Sequence, residues 1–84
     1  FNQPMEGFIM RAIHAIASDI ARDWKKPYFG AMPYLIAMST LNNLYDTYYC
    51  EDAKTIINYF LANASTFKGD KARELKAELK QLVK

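Results

Sequence analysis

Apolar residues recur along this chain at the spacing of a helical turn. Ile9, Ile13, Ile16, Ile20 and Trp24 follow one another at intervals of four, three, four and four. At 100° per residue they form one stripe, the signature of an amphipathic helix. Arg11, His14, Ser18, Arg22 and Lys25 fall on the opposite side of the same wheel. The pattern predicts a first helix over 4–25. Pro4 suits its first position, and Glu6 complements the positive end of the helix dipole. Lys25 and Lys26 complement the other end, and Pro27 forbids continuation.

Three further segments carry the same period. Residues 27–32 read as a tight connection in which Gly30 supplies backbone freedom. Pro33 then opens a second helix over 33–44, with Leu35, Met38 and Leu41 inward and Asn42 and Asn43 as terminators. A third helix is predicted over 51–64. Glu51 and Asp52 stand in its first turn, and Ala53, Ile56, Ile57, Phe60, Leu61 and Ala64 form its buried face. Asp70 is a good N-cap for a fourth over 71–83, where Ala72, Leu75, Leu79 and Leu82 face inward. Tyr45 to Tyr49 alternates briefly, but the run is too short and isolated to pair as strands. The expectation is an all-α fold, a compact bundle of about four helices forming a single domain over 1–84.

Composition narrows the function classes. The chain is 51% hydrophobic and 24% charged, which excludes a disordered segment. A domain this small buries roughly 60% of its unfolded surface and is stable by on the order of 4–12 kcal/mol. That margin favours a surface site over a deep enclosed one. Cys50 is the sole cysteine, so no internal disulfide is available, in keeping with a reducing cytoplasm. The longest uncharged run, 27–45, is broken by prolines, hydroxyls and asparagines and does not read as a membrane span. No secretory signal is evident, so the expected location is cytoplasmic. Phe1-Asn2-Gln3-Pro4 reads as an addition ahead of a native start at Met5 or Met10.

No set of residues has the spacing of a catalytic or metal site. One histidine and one cysteine cannot supply the usual zinc ligands. A nucleophilic pair of Cys50 and His14 lacks an orienting third group. Asp46, Glu51 and Asp52 match no calcium-loop spacing and read as helix-end residues. The expectation is a protein that is not an enzyme and has no cofactor.

Charge and its absence supply the two binding candidates. Residues 68–84 hold six basic and three acidic groups, so the C-terminal helix carries a basic row of Arg73, Lys76, Lys80 and Lys84. Arg11, Arg22 and Lys25 form a second row on the first helix. If the two helices are neighbours, the rows merge into one positive surface suited to phosphates. Against this, Pro27 to Tyr45 contains no charge in nineteen residues, whereas a surface helix normally carries charge on its wet side. Interface cores are poor in charge and rich in tyrosine and methionine. Tyr28, Phe29, Tyr34, Tyr45 and Tyr59 are therefore the candidate protein interface. Tyr45, Tyr48 and Tyr49 could also stack on single-stranded bases, but the nearest charges are acidic.

Two segments, 23–38 (Asp-Trp-Lys-Lys-Pro-Tyr-Phe-Gly-Ala-Met-Pro-Tyr-Leu-Ile-Ala-Met) and 56–76 (Ile-Ile-Asn-Tyr-Phe-Leu-Ala-Asn-Ala-Ser-Thr-Phe-Lys-Gly-Asp-Lys-Ala-Arg-Glu-Leu-Lys), carry a resemblance. The chain from Met10 resembles short uncharacterised proteins encoded by phages and integrative mobile elements of Gram-positive gut and oral bacteria. The resemblance implies a setting and no chemistry: a small accessory protein of a mobile element. By analogy, such a protein binds a protein partner, for example a host-defence component, or self-associates. The alternative is a small nucleic-acid-binding protein using the basic faces of the first and fourth helices.

Overall fold

From Ile13 to Trp24 the first apolar stripe is buried as its period requires. In the computed structural model, which describes residues 11–84, Ile13, Ile16 and Ile20 of helix α1 (Ile13–Asp23) are almost completely enclosed. The stretch 4–10 of the predicted first helix lies outside the described residues. Arg11 and Ala12 are not helical, so no single helix runs over 4–25. The reason is a backbone exchange. The Ile13 and His14 amides donate to the Asn42 and Leu41 carbonyls at 3.0 and 2.8 Å. A helix begun earlier would have spent them on its own preceding turn. At the other end Trp24 leaves the helix in an extended conformation, φ −93° and ψ 95°. Its indole stacks on Phe67 with centroids 5.0 Å apart and meets Phe60 edge-on at 6.2 Å.

A 3-10 turn (Phe29–Ala31) leads into α2, which is shorter than predicted: Met32–Met38 rather than 33–44. Hydroxyls stop it. Ser39 donates to the Ile36 carbonyl and Thr40 to the Ala37 carbonyl, so side chains and tight i→i+3 backbone bonds satisfy the last turn. Asn42 and Asn43 are not its terminators. Their amides donate to the Asp46 carboxylate at 2.7 and 3.1 Å in the loop that follows.

That loop feeds a small antiparallel hairpin, β1 (Thr47–Tyr48) and β2 (Glu51–Asp52), paired Thr47 to Asp52 and Tyr48 to Glu51. The expectation that this stretch does not pair is therefore wrong. A lone hairpin this short is marginal in water, but this one is joined directly to a helix. Asp52 ends β2 and also caps α3 (Ala53–Ala62), accepting from the Thr55 amide at 2.8 Å. The Ala53 amide reaches back to the Asp46 carbonyl at 3.2 Å.

The last helix, α4, spans Asp70–Leu82. Asp70 is not its N-cap as expected. Gly69 holds that place, with φ 113° and ψ 174°, and Asp70 instead accepts from Arg73 within the first turn. Ala72, Leu75 and Leu79 join the stripes of the other helices and Phe67 in one continuous core. Among the described residues the fold is mostly helical, with four α-helices and one small hairpin.

Candidate functional site

Packing α2 against α3 gathers tyrosines that are far apart in sequence. Tyr34 projects from the first turn of α2 and Tyr59 from the second turn of α3, and their rings lie 5.5 Å apart at 40°. Tyr48 of the hairpin closes the near end. Together with Pro33, Ile56 and Glu51 they line a groove of about 260 Å³. Among the described residues, no hydrogen bond engages a tyrosine hydroxyl, and Glu51 is the one charged side chain lining the groove. The site therefore offers flat apolar walls, polar rims and a single carboxylate at the hairpin end. Aromatic walls with a polar tip suit contacts that are dry in the middle and wet at the edge.

Of the five residues singled out for a protein interface, the fold unites Tyr34 and Tyr59 in this groove. Tyr28 and Phe29 form a second pair, with centroids 5.1 Å apart, ahead of α2. Tyr28 lies across Gly30 so closely that a Cβ there would stand 2.5 Å from the ring and 3.2 Å from the Asn63 side chain at the end of α3. Phe29 is 80% exposed. Tyr45, 93% exposed, stands apart in the loop before β1. The sequence pattern gives Tyr48 only a base-stacking role and places Pro33, Ile56 and Glu51 in helices without a site role. On α2, Ile36 is exposed beside Ser39 and Thr40, so this helix has a wet side that carries no charge.

The basic rows do not merge. Helices α1 and α4 do pack together, but their seam is neutral. Arg11 donates from Nε and Nη2 to both carboxylate oxygens of Glu78, each at 2.8 Å, and from Nη1 to Asp19 at 2.7 Å. These bonds hold the Arg11 guanidinium well above its ordinary pKa, and the Arg11 hydrogen bond is the main cause that holds Asp19 below the usual carboxylate range. Arg11 is thus a clasp between helices and not a free cation, and Arg22 is drawn to the same Asp19 at 3.1 Å. Lys25 and Lys84 are exposed and lie past the ends of α1 and α4, respectively.

Arg73, Lys76 and Lys80 do come together, joined by Lys68 from the connection before α4, around an open pocket of about 330 Å³ over Phe67. The Lys76 ammonium sits 5.8 Å from the Phe67 ring centroid. Burial, then the nearby charges of Lys80 and Lys68, push its pKa down. Lys68 escaped the sequence reading because it belongs to no helical stripe.

His14 lines a shallow hollow between α1 and α2, and Cys50 is exposed at the hairpin turn. Among the described residues no hydrogen bond links either side chain to another group. No cluster of three His, Cys, Asp or Glu among them could hold a metal ion, and no helix among them is long and apolar enough to cross a membrane.

The sequence matches no protein-family model, and neither the curated proteins nor the solved structures give a significant match. The resemblance of segments 23–38 and 56–76 to mobile-element proteins thus rests on those residues alone.

Proposed function

We propose that this chain is a non-catalytic protein-interaction module, an accessory protein of a mobile element acting in the cytoplasm, whose groove between α2 and α3 receives a partner's side chain. The observation that carries the reading is the meeting of Tyr34, Tyr48 and Tyr59 around an open apolar groove whose one charged lining side chain is Glu51. Two rings held 5.5 Å apart by rigid helices lose little freedom when they close on a ligand, which is why tyrosine serves recognition well. The fitting occupant is a peptide segment or helix that presents one aliphatic side chain to the rings and, beside it, an arginine or lysine to Glu51. Rim charge of this sort directs orientation and association rate more than affinity.

Selection of a displayed peptide library on the immobilised protein tests this. The expected winners pair an aliphatic residue with a nearby basic one, and they lose binding to Tyr59→Asp, whose far-ultraviolet circular dichroism stays helical. Winners that bind Tyr59→Asp as well as the parent protein would place recognition elsewhere and end the proposal.

A further inference from the structure

Beyond that reading, we infer that the pocket formed by Lys68, Arg73, Lys76 and Lys80 is a second binding site, one for the phosphate backbone of duplex nucleic acid, contacted without regard to base sequence. Three observations lead there. First, the charges of α4 are sorted by face. At 100° per residue Arg73, Lys76 and Lys80 fall within about 60° of one another, whereas Glu74 and Glu78 lie at least about 100° further round. Glu78 is moreover occupied by Arg11 on the α1 side. Among the described residues no acidic side chain lines the pocket.

Second, the cations are crowded rather than dispersed. Gly69 turns the chain so that Lys68 comes back beside Lys76, and among the described residues none of the three lysines has an ion-pair partner; Arg73 has only exposed Asp70, at 3.1 Å. Like charges held together in this way favour a polyanion that neutralises several at once.

Third, the geometry selects the kind of strand. Single-strand binders combine such cations with aromatic rings on which bases stack. The ring beneath this pocket, Phe67, is 2% exposed and belongs to the core. Nothing is left for a base to stack on, while a duplex presents its phosphates at high density on the outside. The row runs along a helix of 13 residues, suited to following one strand's backbone. The groove of the protein-interaction reading shares no residue with this pocket.

The test is fluorescence anisotropy of the full chain with a labelled 20-base-pair DNA duplex across 50–200 mM salt. Four phosphate contacts give a slope of log K against log salt of about −3.6, a loss of roughly 10²-fold over that range. Lys80→Gln should reduce the slope by about 0.9, and the triple variant Lys68→Gln/Lys76→Gln/Lys80→Gln should bring it to about −0.9. Arg22→Gln should leave it unchanged. Circular dichroism confirms that each variant is folded, and Lys80→Gln, on an exposed side chain, keeps the test decisive if the triple variant is not. Absence of binding at 50 mM salt, a slope that Lys80→Gln does not alter, or equal affinity for polyglutamate, for phosphatidylserine vesicles or for the single strand would overturn the inference.

Discussion

Tyr34 and Tyr59 face each other across the α2–α3 seam with ring centroids 5.5 Å apart, and neither hydroxyl bonds to another described residue. Each ring stands one helical position away from core residues: Tyr34 beside Leu35, and Tyr59 beside Phe60, both buried. The core thus fixes the rings without covering them. A pair of that kind is held ready by packing and left open to solvent, and a recognition surface needs both properties.

The packing that fixes the seam depends on Trp24. Its indole joins α1 to the Phe60 and Phe67 rings and is 6% exposed. Trp24→Ala should cost about 3–5 kcal/mol, a large share of the stability expected of a domain this size. Urea unfolding followed by circular dichroism should show the midpoint collapse with the slope retained.

Two backbone positions give effects of opposite sign. Gly69, at φ 113° and ψ 174°, occupies a region essentially closed to other residues. Although a Cβ there would meet nothing within 4 Å, Gly69→Ala should destabilise by about 1–3 kcal/mol. Tyr49, at φ 58° in the hairpin turn, already bears a left-handed conformation that glycine adopts freely. Tyr49→Gly should raise stability by about 0.5–1 kcal/mol after its own entropy cost. Thermal melts of the two variants should therefore move in opposite directions.

Acid should loosen the α1–α4 clasp. The Asp19 carboxyl titrates below its ordinary range, mainly through the Arg11 hydrogen bond and further through the charges of Arg11 and Arg22, against an opposing effect of burial. A carboxyl lowered in the folded state stabilises fully above its unfolded pKa of about 3.9 and loses that contribution as pH falls through the lower folded value. Melting temperature should fall as pH drops below about 4. Asp19→Asn should flatten that dependence and leave a residual slope from Asp52, which the Thr55 amide also holds low. A slope unchanged by Asp19→Asn would show that the clasp does not contribute.

Much of the fold was legible because it is periodic. Ile13, Ile16 and Ile20, Ile56, Ile57 and Phe60, and Leu75 and Leu79 are where their 3.6-residue spacing puts them. What escaped has no period. A strand of two residues cannot show alternation, and the Thr47–Asp52 hairpin exists because Asp52 serves strand and helix together. The early end of α2 follows from the Ser39 and Thr40 hydroxyls competing for carbonyls, which apolar spacing does not register. Half of the groove was readable: the uncharged stretch and the tyrosine excess pointed to Tyr34 and Tyr59. Tyr48 was not, because only the hairpin brings it to them. The same holds for Arg11, whose place on a polar stripe suggested a free cation until α4 supplied Glu78.

The groove itself can be watched directly. Incorporating 3-fluorotyrosine places one fluorine probe on each of the six tyrosines, and a library-selected peptide can then be titrated in by fluorine NMR. The expected result is that the Tyr34, Tyr48 and Tyr59 signals move together along one binding curve while Tyr28 and Tyr45 stay in place. Movement confined to Tyr28 and Tyr45, or no movement at saturating peptide, would contradict the assignment of this groove as the partner site.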